Sequence, residues 1–108
     1  MKNLAQFRRA LTVGSNWTCE CYSDNPAFCR GPNPRTVVHV QSNAVAFSVP
    51  GVAYDGDPHK TRSWLYFDRA NGKAGNWSFP DENTALFTYP SLDGKLSADN
   101  AKRIYRLA

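Results

Sequence analysis

Cys19, Cys21, Cys29 and His39 are the residues whose types first suggest chemistry, since three thiolates and an imidazole make a Cys3His set for zinc. Their spacing argues against it. Cysteines that share a zinc are usually separated by about two to four residues, so that a knuckle turn brings both sulfurs to one ion, whereas only Glu20 stands between Cys19 and Cys21. Unligated cysteines also behave as small buried hydrophobes, and that is the simpler reading here. A cysteine nucleophile would need a base, and the chain has two histidines, His39 and His59. Cys29 with His59 is the better pair because both fall in loop-like sequence, but no motif sets them side by side. Asp55 and Asp57 in DGDPH could divide acid and base roles or hold a hard cation. The glycine and proline beside them are equally what a turn requires. The chain contains no G-x-G-x-x-G, phosphate-loop, H-E-x-x-H or G-x-S-x-G motif. The expectation is therefore a protein that is not an enzyme and uses no metal or cofactor.

Aromatic and basic residues suggest a different chemistry. Trp17, Trp64, Tyr66, Trp77, Phe79, Phe87 and Tyr89 are many rings for 108 residues. Small β domains that hold single-stranded nucleic acid stack bases on such rings and track the backbone with Lys and Arg. The net charge of +4 is concentrated toward the two ends, with Lys2, Arg8, Arg9, Arg30 and Arg35 in one region and Lys102, Arg103 and Arg106 in the other. A modest basic excess suits phosphates or an acidic protein face.

These groups must be positioned by one domain, since 108 residues leave no room for a second core. A content of 42% hydrophobic against 20% charged residues is that of a chain that folds. Leu4, Phe7 and Leu11 recur at helical intervals and predict a short amphipathic helix ending before Gly14. In residues 16–22 the period becomes two, a strand with Trp17, Cys19 and Cys21 on one face. Residues 23–34 contain Pro26, Gly31, Pro32 and Pro34 and predict a long loop. RTVVHVQ (35–41) and AVAFSV (44–49), separated by Ser42 and Asn43, predict an antiparallel hairpin. A second loop, 50–60, leads to a strand over 61–67, and Asn71-Gly72 marks a turn. Residues 76–79 and 84–89 predict two more short strands, and residues 97–108 a helix, with Ser97 as cap and Lys102, Arg103 and Arg106 near its end. The sum is an α+β domain: a small curled antiparallel sheet or partly open SH3-like or OB-like barrel of about five to six short strands, with one N-terminal and one C-terminal helix.

The cysteine number is odd, the first residues MKNLAQFRRAL interrupt their apolar stretch with charge, and no segment approaches a membrane span. Reduced thiols and a cytoplasmic location follow as expectations.

The stretches NLAQFRRALTVG (3–14), RTVVHVQSNAVAF (35–47), RSWLYF (62–67) and TALFTY (84–89) loosely resemble short proteins encoded on phages and other mobile elements. Those proteins begin with a helix and carry a V-Q-S-N hairpin and an S-W strand. The likeness covers about half the chain and departs from it over 19–34 and 97–108. It implies a small mixed α/β domain and carries over no catalytic residue. Mobile elements also encode inhibitors of host defence, of the anti-CRISPR and anti-restriction type, so direct contact with a host protein is the second functional expectation. The first is a non-catalytic module for nucleic acid or a nucleoprotein, binding through Arg8, Arg9, Arg35, Arg62, Trp64, Tyr66, Arg69, Trp77, Lys102, Arg103 and Arg106.

Overall fold

The computed structural model describes residues 1–22, 29–61, 63–67, 76–89 and 102–108. Helix α1, Leu4–Ala10, starts where the Asn3 side chain accepts from the Gln6 N–H at 2.9 Å, the usual N-cap device. It buries Phe7 and hands over through Leu11, also buried, to a turn at Gly14. Gly14 adopts φ +92° while its N–H reaches the Val37 carbonyl at 2.8 Å.

Seven strands follow among the described residues: β1 Asn16–Tyr22, β2 Arg30–Gln41, β3 Ala44–Ser48, β4 Trp64–Tyr66, β5 Asn76–Asp81, β6 Thr84–Thr88 and β7 Lys102–Leu107. They form one sheet in the order β4-β3-β2-β1-β7-β6-β5, with every neighbouring pair antiparallel. The predicted hairpin at Ser42–Asn43 is present, with Gln41 opposite Ala44. β7 is the joint of the sheet, lying between β1 and β6 and joining the β1–β4 meander to the β5–β6 hairpin.

The sheet curls into a half-barrel, and α1 fills its open side. Phe7, 0% exposed, is the hub. Its ring centroid lies 6.3 Å from Phe67, just past edge strand β4, and 5.2 and 6.4 Å from Trp77 and Phe79 on the opposite edge strand β5. Trp17 at 5.6 Å and Tyr105 at 5.8 Å complete the shell from the middle of the sheet. Edge-to-face and tilted ring pairs of this kind add attraction beyond the area they bury. Arg8 secures the helix from outside, donating to the Ser42 carbonyl in the β2–β3 turn and lying 4.4 Å from the Phe67 ring centroid. No helix among the described residues is long and apolar enough to cross a membrane.

Two expectations fail. Residues 102–107 are strand β7, where the sequence suggests a helix over 97–108; residues 97–101 lie outside the described residues. The helical spacing of Ile104, Tyr105 and Ala108 competes with a two-residue alternation in KRIYRL. Pairing with β1 decides the contest, because it puts Tyr105 and Arg103 beside Cys19 and Cys21 and Ile104 beside Glu20. The second failure is the loop over 23–34, since residues 30–34 belong to β2, and with these changes the strand number exceeds the expected five to six. Prolines are tolerated there because the β2–β3 pairing runs only from Thr36 to Gln41, so among the described residues this stretch has β1 on one side and no strand on the other. Between the pairs Cys19–Asn33 and Cys21–Arg30, β2 carries one residue more than β1, a bulge at Gly31-Pro32.

Gly31 is required at that bulge. Its φ is +95°, and a Cβ would stand 2.5 Å from the Cys19 carbonyl oxygen and 3.0 Å from Glu20 Cα, both backbone atoms. Gly31→Ala is expected to cost about 2 kcal/mol in chemical denaturation, read as a lower midpoint at unchanged slope. A loss below about 0.5 kcal/mol would show that the bulge yields freely.

Candidate nucleic-acid interface

Alternation along β4 divides its three side chains. Leu65 enters the core at 2% exposure, and Trp64 and Tyr66 share the other face. On that face Trp64 stands opposite Ala46 and Tyr66 opposite Ala44, both fully covered alanines whose small side chains let large rings lie over the strand. The two rings stack with centroids 5.6 Å apart and planes 21° from parallel. His59, from a single 3-10 turn at Pro58–Lys60, adds a tilted ring 5.8 Å from Trp64. His39 on β2 meets Trp64 edge-on at 6.1 Å and is tethered to Gln41 Oε1 at 3.1 Å. Tyr66 is 39% exposed and Trp64 half-buried, so this row of rings presents an aromatic surface to solvent on an edge strand.

Trp64 also borders a concavity of about 210 Å³ whose lining includes Cys19, Asn33, Ser63 and the three arginines Arg30, Arg35 and Arg103, with Phe47 and Tyr105 as apolar walls. Those two rings stack at 6.1 Å. Arg103 is opposite Cys21 on β1 and Phe87 on β6, its guanidinium lies 5.9 Å from the Tyr89 ring, and its Nε is buried with no hydrogen-bond partner among the described residues. Arg35, opposite Trp17, donates from Nη1 to the Pro34 carbonyl at 2.7 Å. Neither guanidinium pairs with a carboxylate among the described residues. Glu20 contributes to the wall, but its carboxylate is engaged elsewhere, by Arg106 and by the Tyr22 hydroxyl at 2.6 Å. Burial pushes the Cys19 thiol up to about 12, and the attraction of Arg35 and Arg103 for the thiolate only partly offsets this. Cys19 is thus a neutral, weakly polar wall residue near neutral pH and a poor nucleophile. Burial likewise raises the Tyr105 phenol, so it stays protonated.

The structure therefore brings Trp64, Tyr66, Arg35 and Arg103 into one region, and the other expected residues that it describes make contacts elsewhere. Arg8 is taken up by its contacts with Ser42 and Phe67, and Arg9 is exposed on α1. Trp77, half-buried, packs against Phe7, Phe87 and Tyr105, with its Nε1 buried and unpartnered among the described residues. Trp17 is 1% exposed. Lys102 lies 5.3 Å from the Tyr22 ring, and Arg106 pairs with Glu20. Arg62 and Arg69 lie outside the described residues.

Asn33, Ser63 and Tyr105 enter the site without a signal in the sequence reading. Treating KRIYRL as a strand would have placed Arg103 and Tyr105 on one face and pointed to the concavity. For zinc, no group of three or more His, Cys, Asp or Glu side chains converges among the described residues. Cys19 lines the concavity, whereas His39 packs against Trp64. Asp55 and Asp57 build their turn: Asp55 accepts from the Asp57 N–H at 2.9 Å and Asp57 from the His59 N–H at 3.0 Å. A hydrogen bond from Lys60 holds the Asp55 carboxyl below its usual range.

Compared with known proteins, the chain matches no family model, no curated protein and no solved structure.

Proposed function

We propose that this protein is a non-catalytic module that binds single-stranded nucleic acid, stacking bases on Trp64 and Tyr66 and seating a phosphate of the strand between Arg35 and Arg103. One observation carries the reading: Trp64 belongs both to the exposed aromatic row and to the lining of the concavity that holds Arg35 and Arg103. A base on one side of Trp64 and a phosphate on the other is the spacing that a single nucleotide offers, and a duplex has no free base face to give. The OB-like outline expected from the sequence is part of the same proposal, because partly open barrels of that kind carry strands across a curved sheet.

The test is fluorescence anisotropy with labelled single-stranded DNA, single-stranded RNA and duplex DNA over a salt series. Single strands are expected to bind in preference to duplex. One phosphate neutralised on a single strand gives a slope of log K against log salt of about −0.7. Absence of binding to any oligonucleotide at low salt would remove the reading. A stoichiometric protein partner that survives nuclease treatment of a host lysate would replace it with the host-defence inhibitor.

A further inference from the structure

We infer that the concavity between Arg35 and Arg103 is a site for a phosphomonoester dianion, which under the proposed function is the terminal phosphate of the bound strand. The inference rests on that reading for its source of phosphate, but the site itself rests on charge, geometry and size.

Charge comes first. Three guanidiniums, those of Arg30, Arg35 and Arg103, line one concavity; the last two pair with no carboxylate among the described residues, and the acid in the lining, Glu20, is held by Arg106 and Tyr22. A pair of fixed positive charges without a carboxylate is matched by a dianion. A terminal phosphate approaches two negative charges at neutral pH, whereas an internal diester carries one. Geometry adds an unmet donor. Arg103 Nε is buried without a partner among the described residues, and a buried donor left unpaired costs free energy that an incoming oxygen would recover. Guanidinium forks also match the three free oxygens of a monoester better than the two of a diester.

Size and surroundings narrow the ligand. About 210 Å³ is below the roughly 300 Å³ at which pockets for drug-sized molecules begin, so the space suits a phosphate with part of its sugar and leaves the base outside. Phe47 and Tyr105 add apolar walls, whereas an internal phosphate would need chain to enter and leave on separate sides. Trp64 is the ring that would take the attached base. Asn33 and Ser63 supply polar groups at the wall, and the neutral Cys19 thiol adds no repelling charge.

Two measurements test this. The first compares one single-stranded 10-mer with a 5′-phosphate, a 3′-phosphate or hydroxyl ends. One phosphorylated end is expected to bind at least 10-fold tighter than the hydroxyl form, and the gain should disappear in Arg35→Gln and Arg103→Gln. Trp64→Leu should weaken all three oligonucleotides by a similar factor and preserve the gain. The second measurement is the shift in melting temperature caused by inorganic phosphate against chloride at equal ionic strength, expected in the wild type and absent in Arg35→Gln. Should Arg103→Gln fail to fold, Arg35→Gln, at a half-exposed position, decides alone. Equal binding of the three oligonucleotides would overturn the inference while leaving strand binding intact. Stabilisation by phosphate through Arg35 with no oligonucleotide binding would overturn the strand reading and support the phosphomonoester site. Failure of both measurements would overturn both.

Discussion

Phe7→Ala is expected to destabilise the protein by about 3–5 kcal/mol, measured by urea or guanidinium denaturation. The side chain is fully enclosed and its ring meets Trp17, Phe67, Trp77, Phe79 and Tyr105. Truncation therefore removes both the transfer free energy of the ring and the contacts of five neighbours that cannot all collapse into the space. Small domains hold only about 5–15 kcal/mol in total, so a large part of the stability rests on one residue. Phe7→Leu, which keeps most of the apolar volume, is expected to cost about 1.5 kcal/mol. The damage from alanine should also be visible as association, because the helix fills the side of the half-barrel on which the two sheet edges face each other, and uncovered strand edges recruit further strands. A cost under about 1 kcal/mol for Phe7→Ala would mean that α1 is only appended to the sheet.

Trp64→Leu is expected to weaken binding of single-stranded nucleic acid by 10-fold or more, from the roughly 1–3 kcal/mol that a base gains on an aromatic ring. Leucine keeps an apolar side chain over Ala46, so the fold should be retained and the melting temperature little changed. Fluorescence supplies an independent readout. Trp17 is buried and the half-buried Trp77 packs against Phe7, Phe87 and Tyr105, whereas Trp64 stands in the proposed interface. Quenching on addition of strand should therefore vanish in Trp64→Leu. Tyr66→Leu should have a smaller effect, and the double variant should lose less than the sum, because the stacked rings form one surface. Unchanged affinity in Trp64→Leu would move the interface away from β4.

The helix and the central hairpin were legible because each is announced by local chemistry. Leu4, Phe7 and Leu11 repeat at a helical interval, and the Ser42–Asn43 turn separates two β-branched runs. The two errors share a physical origin in long-range pairing. Residues 30–34 look like a loop until β1 supplies their partner, and residues 102–107 satisfy a helical pattern until β1 and β6 flank them. The site was half legible for the same reason. Residue types pointed to Trp64, Tyr66, Arg35 and Arg103. Convergence depended on strand order, which sets β7 beside β1 and gathers Arg103 and Cys19 with Arg35 of β2 around one hollow. The ring contacts of Arg8 and Trp77 had no signal in the sequence because packing depends on the curl of the whole sheet.

The place of β7 has a consequence for biosynthesis. The joint of the sheet is the last of its described strands in chain order, so a nascent chain has its first meander and its later hairpin in hand before the strand that pairs with both. Pairing β1 with β7 must span most of the chain, the kind of contact that slows folding. Assembly is therefore expected to be a single late event after β7 clears the ribosome, and until then the unjoined halves are clients for chaperones.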